Sequence, residues 1–191
     1  FYFIKNRELL MKIVFSSIPV IISGYILVQT NMIEQLRNLK MIGWTTFIFG
    51  ILLFFSDKFN LKKNLRNDFS FKNALIIGLF QILSLVPGVS RSGITITAAR
   101  LLNYKRLDAA KISFLLSIPT LGAVSIYGLK NIITSDNLDF SYLNILSIFF
   151  SFLFSFFTIK YFMRYIKRFS LNLFVIYRLI VGVLILAVAY L

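Results

Sequence analysis

Apolar residues run along this chain in long blocks, not in the alternation of a strand or the single stripe of a soluble helix. Residues 9–28, 41–55, 109–129, 142–162 and 173–191 approach the roughly 20 apolar residues that an α-helix needs to cross a bilayer. The second block is short, and its flanks are expected to extend it. Polar, mostly basic connections fill 29–40 and 56–72, and a polar loop fills 131–141. The block at 74–102 behaves differently. Pro87-Gly88-Val89-Ser90-Arg91-Ser92-Gly93 divides it into arms at 74–86 and 94–103, each too short to span. The pattern predicts an all-α fold: a polytopic membrane bundle of five crossings and one re-entrant helix-loop-helix hairpin.

Charge separates this reading from one in which residues 74–93 cross the membrane. With a re-entrant hairpin, Lys5, Arg7, the basic residues at 58–72, Lys105, Arg106, Arg164, Lys167 and Arg168 share one face. The other face receives Glu34, Arg37, Lys40, Lys130, Asp136 and Asp139 and is nearly balanced. That asymmetry is what the positive-inside rule requires, and a full crossing would dissolve it. Lys12, near one end of the first span, is expected to reach for the interface.

Composition agrees. The 191 residues are 58% hydrophobic and 17% aromatic, with 22 Phe. The net charge of +14 is dealt into the connections, which sets aside a nucleic-acid partner. The Phe-rich fourth span reads as lipid-facing. The chain has no Cys and no His, which removes thiolate and imidazole chemistry from it. It opens on Phe1, shows no cleavable signal and reads as one domain over 1–191 that lacks an N-terminal portion.

The candidate chemistry sits at the break in the 74–102 block. An arginine deep in a bilayer costs about 2.5–3.5 kcal/mol even on insertion scales, so Arg91 implies a function. Arg91 offers a planar fork of donors, and Ser90 and Ser92 offer hydroxyls. Gly88 and Gly93 allow the backbone to approach an anion, and the second arm begins with free N–H groups. Ser90, Arg91 and Ser92 are the candidate catalytic residues. Gly88, Gly93, Gln81, Thr95 and Thr97 are candidates for substrate binding, with Arg178 of the last span able either to join them or to snorkel.

Phe80-Gln81-x-Leu83-x-Leu85-x-Pro87-Gly88-x-Ser90-Arg91-Ser92-Gly93 resembles the second signature of the bacterial undecaprenyl-diphosphate phosphatases, the bacitracin-resistance family. The run from Ala109 to Pro119 and the pair Tyr177-Arg178 also resemble that family. The resemblance implies an inverted-repeat fold with two hairpin tips meeting in a cavity open to the periplasm, in the bacterial cytoplasmic membrane. It implies removal of the terminal phosphate of undecaprenyl diphosphate, recycling the lipid carrier of cell-wall synthesis. A divalent cation, Mg2+ or Ca2+, is implied as cofactor, and a homodimer is a candidate assembly.

The family's other signature carries glutamates and a Ser/Thr-rich turn ending in His, and supplies the nucleophile, the acid/base group and the cation ligands. It is not matched here. The seven acidic residues fall in predicted loops or at span ends. The chain is therefore expected to hold half of an active site and to be inactive alone. A phosphatidic-acid-phosphatase pattern would need His where Thr97 stands. The alternative from another class is a transporter or flippase for an anionic or phosphorylated lipid.

Overall fold

The computed structural model describes residues 7–32, 36–58, 62–134 and 142–191. Within them lie α1 (Arg7–Gln29), α2 (Leu39–Asp57), the one-turn α3 (Leu65–Asp68), α4 (Phe71–Ile82), α5 (Arg91–Leu101), α6 (Arg106–Thr134), α7 (Tyr142–Arg168) and α8 (Asn172–Tyr190). Among the described residues, α1, α2, α6, α7 and α8 are long and apolar enough to cross a membrane. The five expected crossings are present, and this is an all-α polytopic bundle. Lys5, Glu34, Asp136 and Asp139 of the charge argument lie outside the described residues, as does the loop at 135–141. α6 runs to Thr134, beyond the expected end near residue 129.

Helices α4 and α5 pack on each other as the two arms of the hairpin. Their feet meet. Tyr104, fully buried just after α5, donates its hydroxyl to the Asp68 carbonyl at 2.7 Å and accepts from Asn73 Nδ2 at 2.8 Å. Backbone bonds from Lys63 to Asn103 and from Lys105 to Lys63 close the same end. Burial, aided by the Asp68 charge and opposed by the Asn73 bond, holds the Tyr104 phenol above its usual range. The hairpin thus enters and leaves together, as the charge pattern predicts.

Two helix pairs hold this hairpin. α1 lies on α4, where Gly78 lets the backbones touch: a Cβ there would overlap the Ser16 carbonyl. α2 lies along α8 in the most extensive helix pairing of the fold. Of α7 only Ile166 is buried among the described residues, as expected of a lipid-facing span.

Lys12 lies beside the foot of the hairpin, with the open carbonyl of Phe69 within reach. Its Nζ donates to that oxygen at 2.6 Å and pairs with Glu8, tying α1 to the hairpin's foot.

Candidate active site at the hairpin tip

The incoming arm ends because Pro87 follows. A residue before proline is pushed out of the helical region, and α4 tightens through a 3-10 turn at Leu83–Leu85 into an extended Val86. Gly88 then turns the chain with φ of +91°. A side chain there would collide with Thr45 Oγ1 and lie 2.6 Å from the Ile42 carbonyl. Glycine is required on both counts.

Ser90 has φ 65° and ψ 114°, a conformation a non-glycine residue adopts at a cost of about 1–3 kcal/mol. It caps α5, accepting the Gly93 N–H at 3.3 Å. The N–H groups of Ser90, Arg91 and Ser92 have no acceptor among the described residues. Ser90 and Ser92 are exposed and Arg91 is partly buried, so hydroxyls, guanidinium and free N–H groups surround the start of one helix. That is an anion site built from a helix N-terminus and a full positive charge.

The carbonyls of the turn are held from neighbouring spans. Pro87 accepts from Thr45 Oγ1 at 2.6 Å, and Gly88 accepts from Thr46 Oγ1 at 3.2 Å and Arg178 Nη2 at 2.9 Å. Arg178 does not snorkel. It is buried, also donates to the Thr46 carbonyl at 3.4 Å, and its Nε has no partner among the described residues. Its Nη1 fills the space at Gly93, 2.8 Å from where a Cβ would stand. Arg91, Ser90, Ser92, Gly88, Gly93 and Arg178 therefore converge.

Three further expected participants are engaged in bonds of their own. Thr95 is buried, bonding the Arg91 carbonyl at 2.9 Å and Ser113 Oγ at 2.7 Å, so it docks α5 on α6. Thr97 donates to the Gly93 carbonyl at 2.8 Å within its own helix. Gln81 is fully buried and donates to Thr120 Oγ1 of α6 at 2.8 Å, while its Oε1 lacks a partner among the described residues. An apolar groove of about 570 Å3 opens beside Thr120, lined by Val20, Gly24, Val28, Tyr127 and, near the tip, Leu85.

Sequence reasoning missed Thr45 and Thr46, which look like ordinary residues of an apolar span. It also missed Arg100, buried in the outgoing arm, and the burial of Asp57 at the end of α2. The Asp57 carboxylate meets Arg106 Nε at 2.7 Å and Arg100 Nη2 at 3.3 Å. A charge placed late in an apolar arm was the available signal for Arg100.

Among the described residues no group of three or more His, Cys, Asp or Glu comes together to hold a metal ion. The tip is cationic and carries no carboxylate. These residues do not fit a divalent cation. What they can do is bind phosphate oxygens and counter charge that develops on them.

Comparison with known proteins agrees with this chemistry. Residues 3–184 match the family described as bacitracin resistance protein BacA. An undecaprenyl-diphosphatase of Pelagibacter ubique (strain HTCC1062) is 50% identical over 187 residues, covering 97% of this chain and 73% of that protein. Undecaprenyl-diphosphatases of Jannaschia sp. (strain CCS1) and Ruegeria pomeroyi are 37% and 36% identical, each over 97% of this chain and 69% of the relative. On the strength of that match, this chain belongs to the bacitracin resistance protein family.

Proposed function

We propose that the protein is a multi-pass membrane phosphatase that hydrolyses undecaprenyl diphosphate to undecaprenyl phosphate and inorganic phosphate, and that the hairpin tip is its phosphate site. The observation that carries the reading is the convergence of Arg91, Arg178 and three unpartnered N–H groups on one turn inside an apolar bundle.

Arg91 and the N–H groups of Ser90, Arg91 and Ser92 hold the oxygens of the terminal phosphate. As the bond from its phosphorus to the bridging oxygen breaks, charge spreads over those oxygens and onto the departing lipid phosphate. Donors already fixed in place stabilise that charge without the reorganisation that water must undergo. Ser90 and Ser92 orient the group. The tip has no carboxylate or imidazole, so the base that takes the proton of the attacking water is not one of its residues. The divalent cation expected from the resemblance would take its ligands away from this turn. The apolar groove beside Leu85 offers the isoprenoid carbons a path to the tip.

The tip is bonded to Thr45 and Thr46, eleven to twelve residues and so about 17 Å along α2 from Asp57 at the basic end. That depth favours a site reached from the face opposite the basic loops. In a bacterial cytoplasmic membrane, this is the periplasmic face.

The test is phosphate release from undecaprenyl diphosphate by the full-length protein in detergent. Release that depends on Arg91 supports the proposal. Movement of a phosphorylated lipid across vesicles without hydrolysis would overturn it in favour of a transporter.

A further inference from the structure

Asp57 is a buried carboxylate that the proposed chemistry does not use. It nevertheless gathers four helix ends. Its Oδ1 accepts from Arg106 Nε of α6 and pairs with the charge of Arg100 of α5, and its backbone carbonyl accepts from Arg100 Nη2 at 2.9 Å. Its Oδ2 accepts the backbone N–H of Leu171 at 3.0 Å, the residue immediately before α8. Leu171 has no side-chain cap of its own for α8, so Asp57 supplies one from another helix.

The position of this bond along the α2–α8 pair is informative. The helices run antiparallel, and Gly43, Gly50 and Asp57 recur on α2 at heptad spacing. Seven residues back from Asp57 is Gly50; seven residues on from Leu171 is Arg178. The two meet, with a Cβ at Gly50 lying 3.2 Å from the Arg178 Cβ. Further along, Gly182 fits against Phe47 and Gly43 against Leu186. Glycine contacts let the helices lie close, but smooth surfaces slide. The Asp57–Leu171 bond is the directional contact at the inner end of this seam, about 10 Å (two turns) below Arg178.

We propose that Asp57 is a positioning residue for phosphate turnover. By accepting the Leu171 N–H it fixes the register of α8 along α2, and so fixes where the Arg178 guanidinium meets Gly88 and Gly93. Its ion pairs with Arg100 and Arg106 hold the returning arm of the hairpin to the same point. Asp57 acts through Arg178 and touches no substrate.

The role presupposes the phosphatase proposed above, so the test reads activity and register separately. Trp44, the one tryptophan of this chain, stands at the far end of α2 with its Nε1 3.5 Å from the Tyr190 hydroxyl of α8. Its emission reports how α8 lies on α2. The full-length protein is used, with tryptophans outside these residues replaced by Phe. Asp57→Ala removes the acceptor and is expected to lower kcat about tenfold or more with a smaller change in KM, and to shift Trp44 emission. Asp57→Asn keeps an acceptor for Leu171 and is expected to retain most of the turnover with Trp44 unmoved. If Asp57→Ala does not fold, Asp57→Ser, whose shorter side chain draws the acceptor back from Leu171, takes its place.

Wild-type kcat in the Ala or Ser variant, or a loss of kcat with unmoved emission, overturns the role. So does an Asn variant as impaired as Ala, since charge and not the acceptor would then matter. A wild-type protein that releases no phosphate overturns the phosphatase reading instead, and the Trp44 comparison still decides the register.

Discussion

Arg178 Nη2 donates to the Gly88 carbonyl at 2.9 Å, so the last span is bonded directly to the turning point of the hairpin. The same guanidinium reaches Thr46 and fills the space at Gly93. Lysine would keep the charge and lose the planar fork. Arg178→Lys is expected to reduce kcat/KM about 10- to 100-fold, the equivalent of about 1.5–3 kcal/mol for a hydrogen bond from a charged group. Steady-state phosphate release checks it, and an unchanged value would leave Arg178 as packing alone.

Arg91 stands at the first turn of α5 and no described side chain accepts from it, which leaves its fork for a ligand. Arg91→Lys is expected to cost about 100-fold in turnover, in the range seen when one stabilising donor is removed from a transition state. Activity within about threefold of wild type would remove Arg91 from the phosphate site.

Ser90 separates stability from activity. Its positive φ favours glycine, and glycine is nearly as good an N-cap as serine. Ser90→Gly is expected to stabilise the protein by about 1 kcal/mol by relieving backbone strain, yet to lower turnover. Ser90→Ala keeps the strain and loses the cap, and is expected to destabilise by about 1 kcal/mol. Thermal unfolding in detergent beside phosphate release distinguishes the two effects.

The spans and the hairpin were legible in the sequence because hydropathy and length are local properties. Arg91 stood out because a charge in an apolar block is costly. The partners of charges were not legible. Lys12 finds the Phe69 carbonyl and Asp57 finds Arg100 and Arg106, through separations that only the folded arrangement sets. The interhelical partner of Thr95 was hidden for a geometric reason. Each residue of a helix turns the side chain by about 100°, which carries Thr95 round to Ser113 on α6. Thr45 and Thr46 gave no local sign, since a hydroxyl in an apolar span ordinarily bonds back to its own helix.

Tyr104 anchors the feet of the hairpin through Asp68 and Asn73. Tyr104→Phe removes both bonds and is expected to cost about 1–3 kcal/mol at neutral pH. Because the folded state raises the phenol's pKa, the unfolded chain ionises first as pH climbs past about 10. The Tyr104 contribution is therefore whole below that pH and shrinks above it. Unfolding midpoints at neutral and alkaline pH should converge between wild type and Tyr104→Phe; a constant gap would argue against the burial.

The meeting of the feet also sets an expectation about sidedness. Lys72 and Lys105 lie at the start of α4 and just beyond α5, the same end of the hairpin. Cysteines introduced at 72 and 105 into a cysteine-free background are expected to react with a membrane-impermeant reagent from one side only, the same for both. Labelling from opposite sides would make the hairpin a crossing.

Position 93 has no room of its own, because a distant arginine already sits in it. A methyl at 93 would press on the tip of that guanidinium and on Ser90. Room for it is made by the same movement that loosens Arg178 from the Gly88 carbonyl, so filling the gap and keeping the bond are opposed.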